Sequence, residues 1–325
     1  MPQTLTLNTP ALSAGAAAAE PLVRQRTLQL RCADGRLLAA TWFEPAGVPR
    51  AIALINPATA VARGFYRGFG EWLAQRGYAV LSYDYRGIGD SLQGPLRQER
   101  ARLRDWAQLD MGAALRAVQR RRLMEQEAQD RALGLLLVGH SFGGNAIGLA
   151  PDYEQADAIL GVAAQAADWR FWSGIHKAKA WLFFHAMLPA AGHLLGHAPG
   201  WLMGARRAQG LPKGAALEWA AWGRRRGFMF SDPSLQAELG YHRFTGPVHL
   251  WNITDDPVFG PASAVDALAA RFSTAQVQRH TLAPADVGLA SLGHFAAFRR
   301  EFGPRIWPRL LAPVEAATPL LAAGC

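Results

Sequence analysis

A serine flanked by glycines follows an apolar run in the middle of the chain. Residues 135–138 are three leucines and a valine, and residues 139–143 read Gly-His-Ser-Phe-Gly with Ser141 at the centre. Such a run is typical of a strand buried on both faces. The G-x-S-x-G spacing is typical of a nucleophile elbow, in which a strained turn from strand to helix exposes the serine Oγ. Chance also produces this pattern in a chain with 33 glycines, so the prediction needs support from other residues.

A nucleophilic serine requires a base, because its hydroxyl is barely ionised at neutral pH. Histidine titrates in the required range, and the chain has nine histidines. His294 is the predicted base because it lies between the last predicted strand and the closing predicted helix, in a loop expected beside the elbow. For the histidines outside the elbow and this loop, packed or surface positions are expected.

The base in turn requires an acid that holds its tautomer and stabilises the imidazolium. The strand predicted over 248–253 is followed by Asp255 and Asp256, which places two carboxylates at the sheet edge of the elbow. A proline comes next; Asp-Pro also marks turns, and a turn is where such an acid would lie. Either aspartate is a candidate by position, and Asp286, eight residues before His294, is a weaker third one.

Backbone N–H groups must stabilise the negative charge that develops on the substrate oxygen. The N–H of Phe142 is predicted to be one donor because this residue follows the nucleophile. The second donor should come from the loop after the strand predicted over 51–55, where Pro57 has no N–H. Ala58 is therefore the preferred donor and Thr59 the second possibility. The side chains expected to contact the substrate are Asn56, Thr59, His140, Trp169 and Trp172.

Alternating strands and helices are predicted to position these groups. Two strands, 27–31 and 36–43, flank an Asp-Gly pair that favours a tight hairpin turn, so the sheet should begin antiparallel. The further predicted strands cover 51–56, 79–83, 135–138, 158–163, 248–253 and 277–282. Helices are predicted over 62–76, 106–122, 262–272 and 295–311, with a helix after Ser141 and a helix and connector over 232–245. The alternation implies an α/β fold with a mostly parallel, eight-stranded sheet and helices on both faces.

The alternation is interrupted between residues 165 and 231, where no strand is clear. This segment holds six of the eleven tryptophans. It is predicted to be a helical cap over the sheet edge at which α/β proteins bind ligands; core helices without a ligand role are the alternative. The predicted organisation is a flexible N-terminal tail over 1–24, a core formed by 25–164 and 232–325, and a cap over 165–231.

Composition and motif spacing argue against several classes of site. No stretch approaches the roughly 18 apolar residues of a membrane span, and the N-terminus lacks the features of a secretory signal. Cys32 and Cys325 are the only cysteines, which fits a reducing, cytoplasmic setting. The net charge of +9 lies largely in arginine runs without a nucleic-acid fold signature, so no nucleic-acid partner is predicted. His193 and His197 are four residues apart, but no glutamate completes an H-E-x-x-H metal-binding pattern and Gly196 weakens the helix. No dinucleotide or phosphate loop is found either, so neither a cofactor nor a metal is predicted.

With nucleophile, acid and base in the order Ser141, Asp256 and His294, the chain resembles the α/β-hydrolase fold superfamily. It is most similar to serine hydrolases with an inserted cap, of the esterase, lipase or serine-aminopeptidase kind. Residues 83–91 resemble the segment after the fourth strand of many members, where it shapes a turn. The resemblance therefore implies structural roles for Asp84 and Arg86 in that segment.

The resemblance also favours Asp256 over Asp255 as the acid. In the family the acid is commonly followed by proline or an acidic residue, then an aliphatic residue, with a proline shortly after. Asp256 precedes a proline and a valine, and Pro261 comes one position late. The family often has His-Gly where this chain has Asn56 and Pro57.

The resemblance implies a cofactor-independent serine hydrolase that forms an acyl-enzyme on Ser141. A carboxylic ester of a small, partly apolar molecule is the predicted substrate, because the inserted segment is rich in tryptophan and phenylalanine. An acyltransferase, a peptidase or a thioesterase would use the same triad. Outside the enzymes, a non-catalytic protein that binds a small molecule is the alternative. The sequence predicts no oligomeric state.

Overall fold

Ten strands are present in residues 23–203 and 209–322, the part of the chain that the computed structural model describes. They are β1 Val23–Arg31, β2 Leu37–Pro45, β3 Ala51–Asn56, β4 Tyr78–Tyr83, β5 Gly134–His140, β6 Ala158–Val162, β7 His197–Ala198, β8 Leu211–Pro212, β9 Pro247–Ile253 and β10 Gln276–Leu282. Eight form one sheet in the order β1-β2-β4-β3-β5-β6-β9-β10, and β7 pairs with β8. β2 is antiparallel to β1 and β4, and the other neighbours in the large sheet are parallel. The predicted mostly parallel, eight-stranded sheet is confirmed.

The α-helices lie between and after these strands. They are α1 Arg67–Gln75, α2 Leu103–Asp105, α3 Gly112–Gln129, α4 Phe142–Asn145, α5 Gly174–Leu182, α6 Leu188–Leu194, α7 Lys213–Arg224, α8 Ala262–Ala269, α9 Gly303–Ala317 and α10 Pro319–Ala322. A π-helical segment, Trp106–Met111, joins α2 to α3, and a second one, Phe183–Met187, joins α5 to α6.

Helices cover both faces of the central strands. In β5, Leu135 and Leu137 belong to an apolar cluster that includes α3, whereas Leu136 and Val138 belong to a second cluster that includes α1 and α9. Every residue of β5 is buried. This two-sided burial is why the strand that leads to Ser141 is continuously apolar rather than alternating.

The helix after Ser141 is short. It ends at Asn145, and a 3-10 turn, Ile147–Leu149, follows it before Pro151. A side chain on Gly148 would overlap the ring of Tyr241, so glycine is required for this close packing. Glycine disfavours a continued helix, which explains why the segment does not form a longer one.

Two other helix predictions are wrong in extent. The segment 232–245 contains only 3-10 turns, Pro233–Leu235 and Tyr241–Arg243. The closing helix predicted over 295–311 begins at Gly303 instead and continues to Ala317. Its first turn contains a proline, whose fixed φ and missing N–H suit that position, and Pro308 and Pro313 lie further along the same helix.

Residues 165–231 contain α5, α6 and α7, together with β7 and β8, which the sequence did not predict. This inserted segment packs on the loop that follows β9. The indole Nε1 of Trp172 donates to the carbonyl of Val258 at 2.9 Å, and Nε2 of Gln165 donates to the carbonyl of Phe259 at 2.7 Å. The segment is therefore fixed beside the residues that follow the predicted acid.

The tail predicted over 1–24 needs one correction. β1 begins at Val23 and pairs with β2 along its full length, so residues 23 and 24 belong to the sheet. Residues 1–22, and Cys325 at the other end, lie outside the described residues.

Candidate active site

Ser141 occupies a strained turn between β5 and α4. Its φ of 51° and ψ of −116° lie outside the regions that a residue with a side chain normally adopts. The turn is held by its backbone, because the N–H of Ser141 donates to the carbonyl of Val162 at 3.0 Å. A side chain on Gly143 would overlap the carbonyl of Asn56, and one on Gly139 would overlap Gly144. The two glycines thus allow the close packing that keeps the serine in this conformation.

Asp256 and His294 form a buried pair. Nδ1 of His294 lies 2.6 Å from Oδ2 of Asp256, and the two residues are only 7% and 3% exposed, respectively. The other oxygen of Asp256 accepts from the N–H of Phe259 at 3.1 Å, which fixes the carboxylate plane. A carboxylate accepts only, so Nδ1 carries the proton and Nε2 is the ring atom able to receive one.

Asp255 has a different role. Its two oxygens accept from the N–H groups of Leu292 and Gly293 at 2.8 and 3.0 Å. It therefore holds the loop that carries His294, whereas its neighbour Asp256 contacts the imidazole itself. Asp286 is placed elsewhere, because its carboxylate accepts from the N–H of Ala283 at a turn.

His294 lies next to the elbow. Its backbone carbonyl is 2.9 Å from Nε2 of His140, the residue before Ser141, and the centroids of the two imidazole rings are 5.1 Å apart. The elbow and the predicted base are therefore neighbours in space although 153 positions separate Ser141 from His294 in the sequence.

The predicted oxyanion donors have different surroundings. The N–H of Ala58 donates to the hydroxyl of Tyr66 at 2.8 Å, so it does not point to free space above the serine. The expectation for Ala58 is thus not met in this structure. Within residues 23–203 and 209–322, the N–H groups of Phe142 and Thr59 make no hydrogen bond, which leaves these two groups free to donate.

Several side chains expected to contact the substrate are buried instead. Asn56 and His140 have no exposed surface; Oδ1 of Asn56 accepts from the hydroxyl of Tyr83, and both ring nitrogens of His140 have partners. They lie behind the elbow because β3 and β5 are central strands. Thr59 is partly exposed beyond them.

The segment 83–91 takes part in a largely buried network of hydrogen bonds and ion pairs. The carboxylate of Asp84 accepts from the backbone and guanidinium of Arg63, and burial raises the pKa of Asp84. Arg86 pairs with the buried Asp110 and with Asp34. These contacts hold loops together, in line with the structural roles that the resemblance implied.

The sequence profile of the alpha/beta hydrolase family matches residues 52–302, which extend from β3 to the loop after His294. The chain belongs to the α/β hydrolase family. None of the curated proteins compared with it matches the chain in sequence.

Solved structures of α/β hydrolases share its fold. A soluble variant of monoglyceride lipase from Saccharomyces cerevisiae aligns with a TM-score of 0.62 at 12% identity, over 94% of this chain and 99% of the lipase. Brefeldin A esterase, a bacterial homologue of human hormone-sensitive lipase, gives 0.53 at 15%, over 96% and 81%. An esterase of Pyrococcus furiosus gives 0.52 at 14%, over 95% and 98%. At these identities the likeness extends to the fold.

In this α/β hydrolase, an apolar cavity of about 550 Å³ lies between the inserted segment and the loop after β9. The ring of Phe259 lines the cavity and lies 5.1 Å from the ring of His294, so the cavity adjoins the Asp256–His294 pair. Most of its lining is aromatic or aliphatic, and its members include Trp172, Phe183, Phe184, Met187, Leu202 and Trp219.

The two predicted tryptophans lie on different sides of the inserted segment. Trp172 is 5% exposed and lines the cavity. Trp169 instead stacks with the guanidinium of Arg170 and the ammonium of Lys177 beside a separate surface hollow. Trp172 therefore lines the apolar cavity and Trp169 does not, and a substrate contact of Trp172 stays a prediction.

No carboxylate lines the cavity among the described residues, and its polar lining consists of Gln165, His176 and Lys179. The cavity thus favours an uncharged apolar group over a cationic one.

Within the same residues, no three histidine, cysteine or acidic side chains converge as metal ligands. Of the helices in this part of the chain, none combines the length and apolar character needed to cross a bilayer.

Apart from Trp172, the sequence did not identify the side chains that line the cavity. The density of tryptophan indicated an aromatic segment, but the inward face of α5 and α7 depends on how these helices pack. Val258 and Phe259 could have been predicted as cavity residues from their positions two and three residues after Asp256. Tyr66, which binds the N–H of Ala58, carries no signal that separates it from other apolar positions of its helix.

Proposed function

We propose that the protein is a serine hydrolase that cleaves carboxylic esters of a small, largely apolar group through an acyl-enzyme on Ser141. The observation that carries the proposal is the 2.6 Å contact between Asp256 and His294, whose backbone carbonyl binds His140, the residue before the strained Ser141. A buried carboxylate that orients an imidazole beside such a serine is the arrangement that activates a hydroxyl nucleophile.

The residues then act in two half-reactions. Nε2 of His294 takes the proton as Oγ of Ser141 bonds to the ester carbonyl carbon, and Asp256 stabilises the imidazolium. Collapse of the tetrahedral intermediate breaks the bond to the alcohol, which leaves with the proton from His294. Water then donates a proton to His294 and attacks the acyl carbon, and the acid leaves as Ser141 regains its proton.

The N–H groups of Phe142 and Thr59 are the proposed donors to the oxyanion. Phe142 follows the nucleophile at the start of α4, and its N–H has no other partner within the described ranges. Thr59 replaces Ala58 in this role, because the Ala58 N–H is bound to Tyr66. Two donors fixed before the reaction stabilise developing charge without a reorganisation cost.

The cavity supports the apolar part of the proposal. Its volume of about 550 Å³ suits a small ligand, and its aromatic lining contributes apolar contact area.

Cys32, the one cysteine among the described residues, is a free buried thiol whose pKa burial raises to about 12. An unreactive thiol is compatible with the proposed reducing, cytoplasmic location.

Hydrolysis of p-nitrophenyl esters of increasing acyl length tests this proposal. We expect kcat/KM to rise from the acetate to medium-chain esters and Ser141→Ala to abolish turnover. Trp219→Ala enlarges the cavity and should shift the preferred acyl chain to a longer one. Trp181→Ala is the matched control, since Trp181 is 45% exposed and stacks on His185 outside the cavity. A steady fall in activity from the acetate onward would contradict the apolar cavity as the acyl site.

A further inference from the structure

A buried chain of hydrogen bonds connects the loop after β3 to His294. The N–H of Ala58 is 2.8 Å from the hydroxyl of Tyr66, and this hydroxyl is 2.8 Å from Nδ1 of His140. Nε2 of His140 is 2.9 Å from the backbone carbonyl of His294. The chain therefore includes His140, the residue before Ser141, and joins the loop after β3 to the loop that carries His294.

The chemistry of the groups fixes the direction of each hydrogen bond. The carbonyl of His294 only accepts, so Nε2 of His140 carries a hydrogen. In the neutral imidazole Nδ1 is then an acceptor, and the hydroxyl of Tyr66 donates to it. The oxygen of Tyr66 in turn accepts from Ala58. All four groups are satisfied in one arrangement, and reversing any single bond would leave two acceptors or two donors facing each other.

The surroundings hold both rings in place and keep them uncharged. Tyr66 and His140 have no exposed surface, and the ring of Phe298 packs against both. Burial lowers the pKa of His140 well below its ordinary value and raises the pKa of Tyr66 well above its own. Both rings of the chain therefore stay uncharged near neutral pH.

We propose that Tyr66 and His140 are positioning residues that set His294 relative to Ser141 and to the loop that carries the oxyanion donor. The inference rests on the proposed hydrolase function. Asp256 holds the side chain of His294 and His140 holds its backbone, so this residue is fixed at two points. At the other end, Tyr66 fixes the peptide N–H of Ala58, next to Thr59.

Tyr66→Phe tests the proposal by deleting one oxygen atom from the chain. It leaves the N–H of Ala58 and Nδ1 of His140 without their buried partner. We expect kcat to fall about 10- to 100-fold, because a small displacement of a catalytic group has a cost of this size. KM should change little, since neither residue lines the cavity.

Tyr153→Phe is the matched control. Tyr153 is also fully buried, and its hydroxyl donates to the carbonyl of Gly240 at 2.6 Å, away from the triad. We expect a loss of thermal stability similar to that of Tyr66→Phe, with kcat unchanged. The acid limb of the pH profile of kcat/KM should move in Tyr66→Phe and not in Tyr153→Phe. Equal effects of the two substitutions on kcat, or no effect of either, would overturn the positioning role.

Nitrogen NMR of ¹⁵N-histidine-labelled protein tests the hydrogen bonds without using activity. We expect one imidazole, assigned by its absence in His140→Gln, to stay neutral with its proton on Nε2 from about pH 5 to pH 9. Tyr66→Phe should shift its Nδ1 resonance. Titration near the ordinary histidine value, or a proton on Nδ1, would overturn the proposed chain. If wild-type protein does not react with a fluorophosphonate, the hydrolase proposal fails, and with it the catalytic reading of the pair, whatever the NMR result.

Discussion

Two adjacent aspartates hold two parts of the same loop in this protein. Asp256 contacts the imidazole of His294. Asp255 accepts hydrogen bonds from the N–H groups of Leu292 and Gly293, the two residues before His294. One carboxylate therefore acts on the reacting side chain and the other on the backbone that carries it. Their positions in sequence differ by one residue, but an odd offset after a strand sends the two side chains in different directions.

Asp256→Asn should lower kcat by about 10⁴-fold, because an amide donor facing His294 favours the wrong tautomer. Asp255→Asn keeps one acceptor oxygen for the loop and should lower kcat about 10-fold or less. Steady-state kinetics with one ester substrate measures both losses. Similar losses for the two variants would mean that the loop contact of Asp255 matters as much as the contact with the imidazole.

At the level of elements, the elbow depends on how closely β5 and α4 approach β3. The overlap that a side chain on Gly143 would make with the carbonyl of Asn56 involves backbone, which has little freedom to move in a central strand. The strained conformation of Ser141 is thus maintained by packing around it rather than by the serine.

Gly143→Ala should lower the free energy of unfolding by at least about 2 kcal/mol, because the added methyl group overpacks this contact. Gly64→Ala is the control: a side chain there meets nothing within 4 Å, and the change should stay within about 0.5 kcal/mol. Urea denaturation of the two variants provides the comparison. Equal stability of the two would show that β3 and the elbow are not as tightly packed as described.

The sequence predicts the strands of the fold well, because β3 to β6 are buried on both faces and therefore continuously apolar. It predicts helix ends poorly: the segment after Ser141 contains Gly148, which is required for packing against Tyr241 and disfavours a longer helix. Asp256 and His294 meet because they lie in the loops after β9 and β10, two parallel neighbouring strands whose following loops lie at the same edge of the sheet. The occupied N–H of Ala58 was not predictable, since it depends on a tyrosine from another element.

At the scale of the whole molecule, the sheet supplies the residues around Ser141 and the inserted segment supplies the cavity. The two meet at Phe259, which lines the cavity and also contacts His294. The sequence shows which segments form the sheet and which form the inserted segment. The shape of the cavity, however, depends on how α5 and α7 pack against the loop after β9. This is why the sequence indicates the candidate catalytic residues more clearly than it indicates the substrate class.

Stability should also depend on pH through His249, which is buried in β9. Burial and the neighbouring His280, 3.0 Å away, lower the pKa of His249 from 6.5 to about 4. Between these values the unfolded chain binds more protons at this site than the folded protein. The contribution of His249 is therefore complete above pH 6.5 and decreases as the pH falls toward 4.

Thermal unfolding of wild type and His249→Gln between pH 7 and pH 4 measures this effect. We expect the fall in Tm on acidification to be smaller in the variant, and His242→Gln, at an exposed position, to behave as wild type. Asp110 has the opposite effect on the pH dependence of stability, because burial raises its pKa to about 6. This residue is present in all three proteins, so it does not alter the comparison between them. Parallel Tm curves for His249→Gln and wild type would show that His249 does not govern the acid sensitivity.

The most direct test of the hydrolase proposal is covalent labelling with a fluorophosphonate, followed by mass spectrometry of the peptides. We expect one adduct on Ser141 in the wild-type protein, none in Ser141→Ala, and labelling of His294→Gln slowed by at least about 10³-fold. An unlabelled Ser141 in native protein, or equal labelling rates for wild type and His294→Gln, would contradict the assignment of Ser141 as a nucleophile activated by His294.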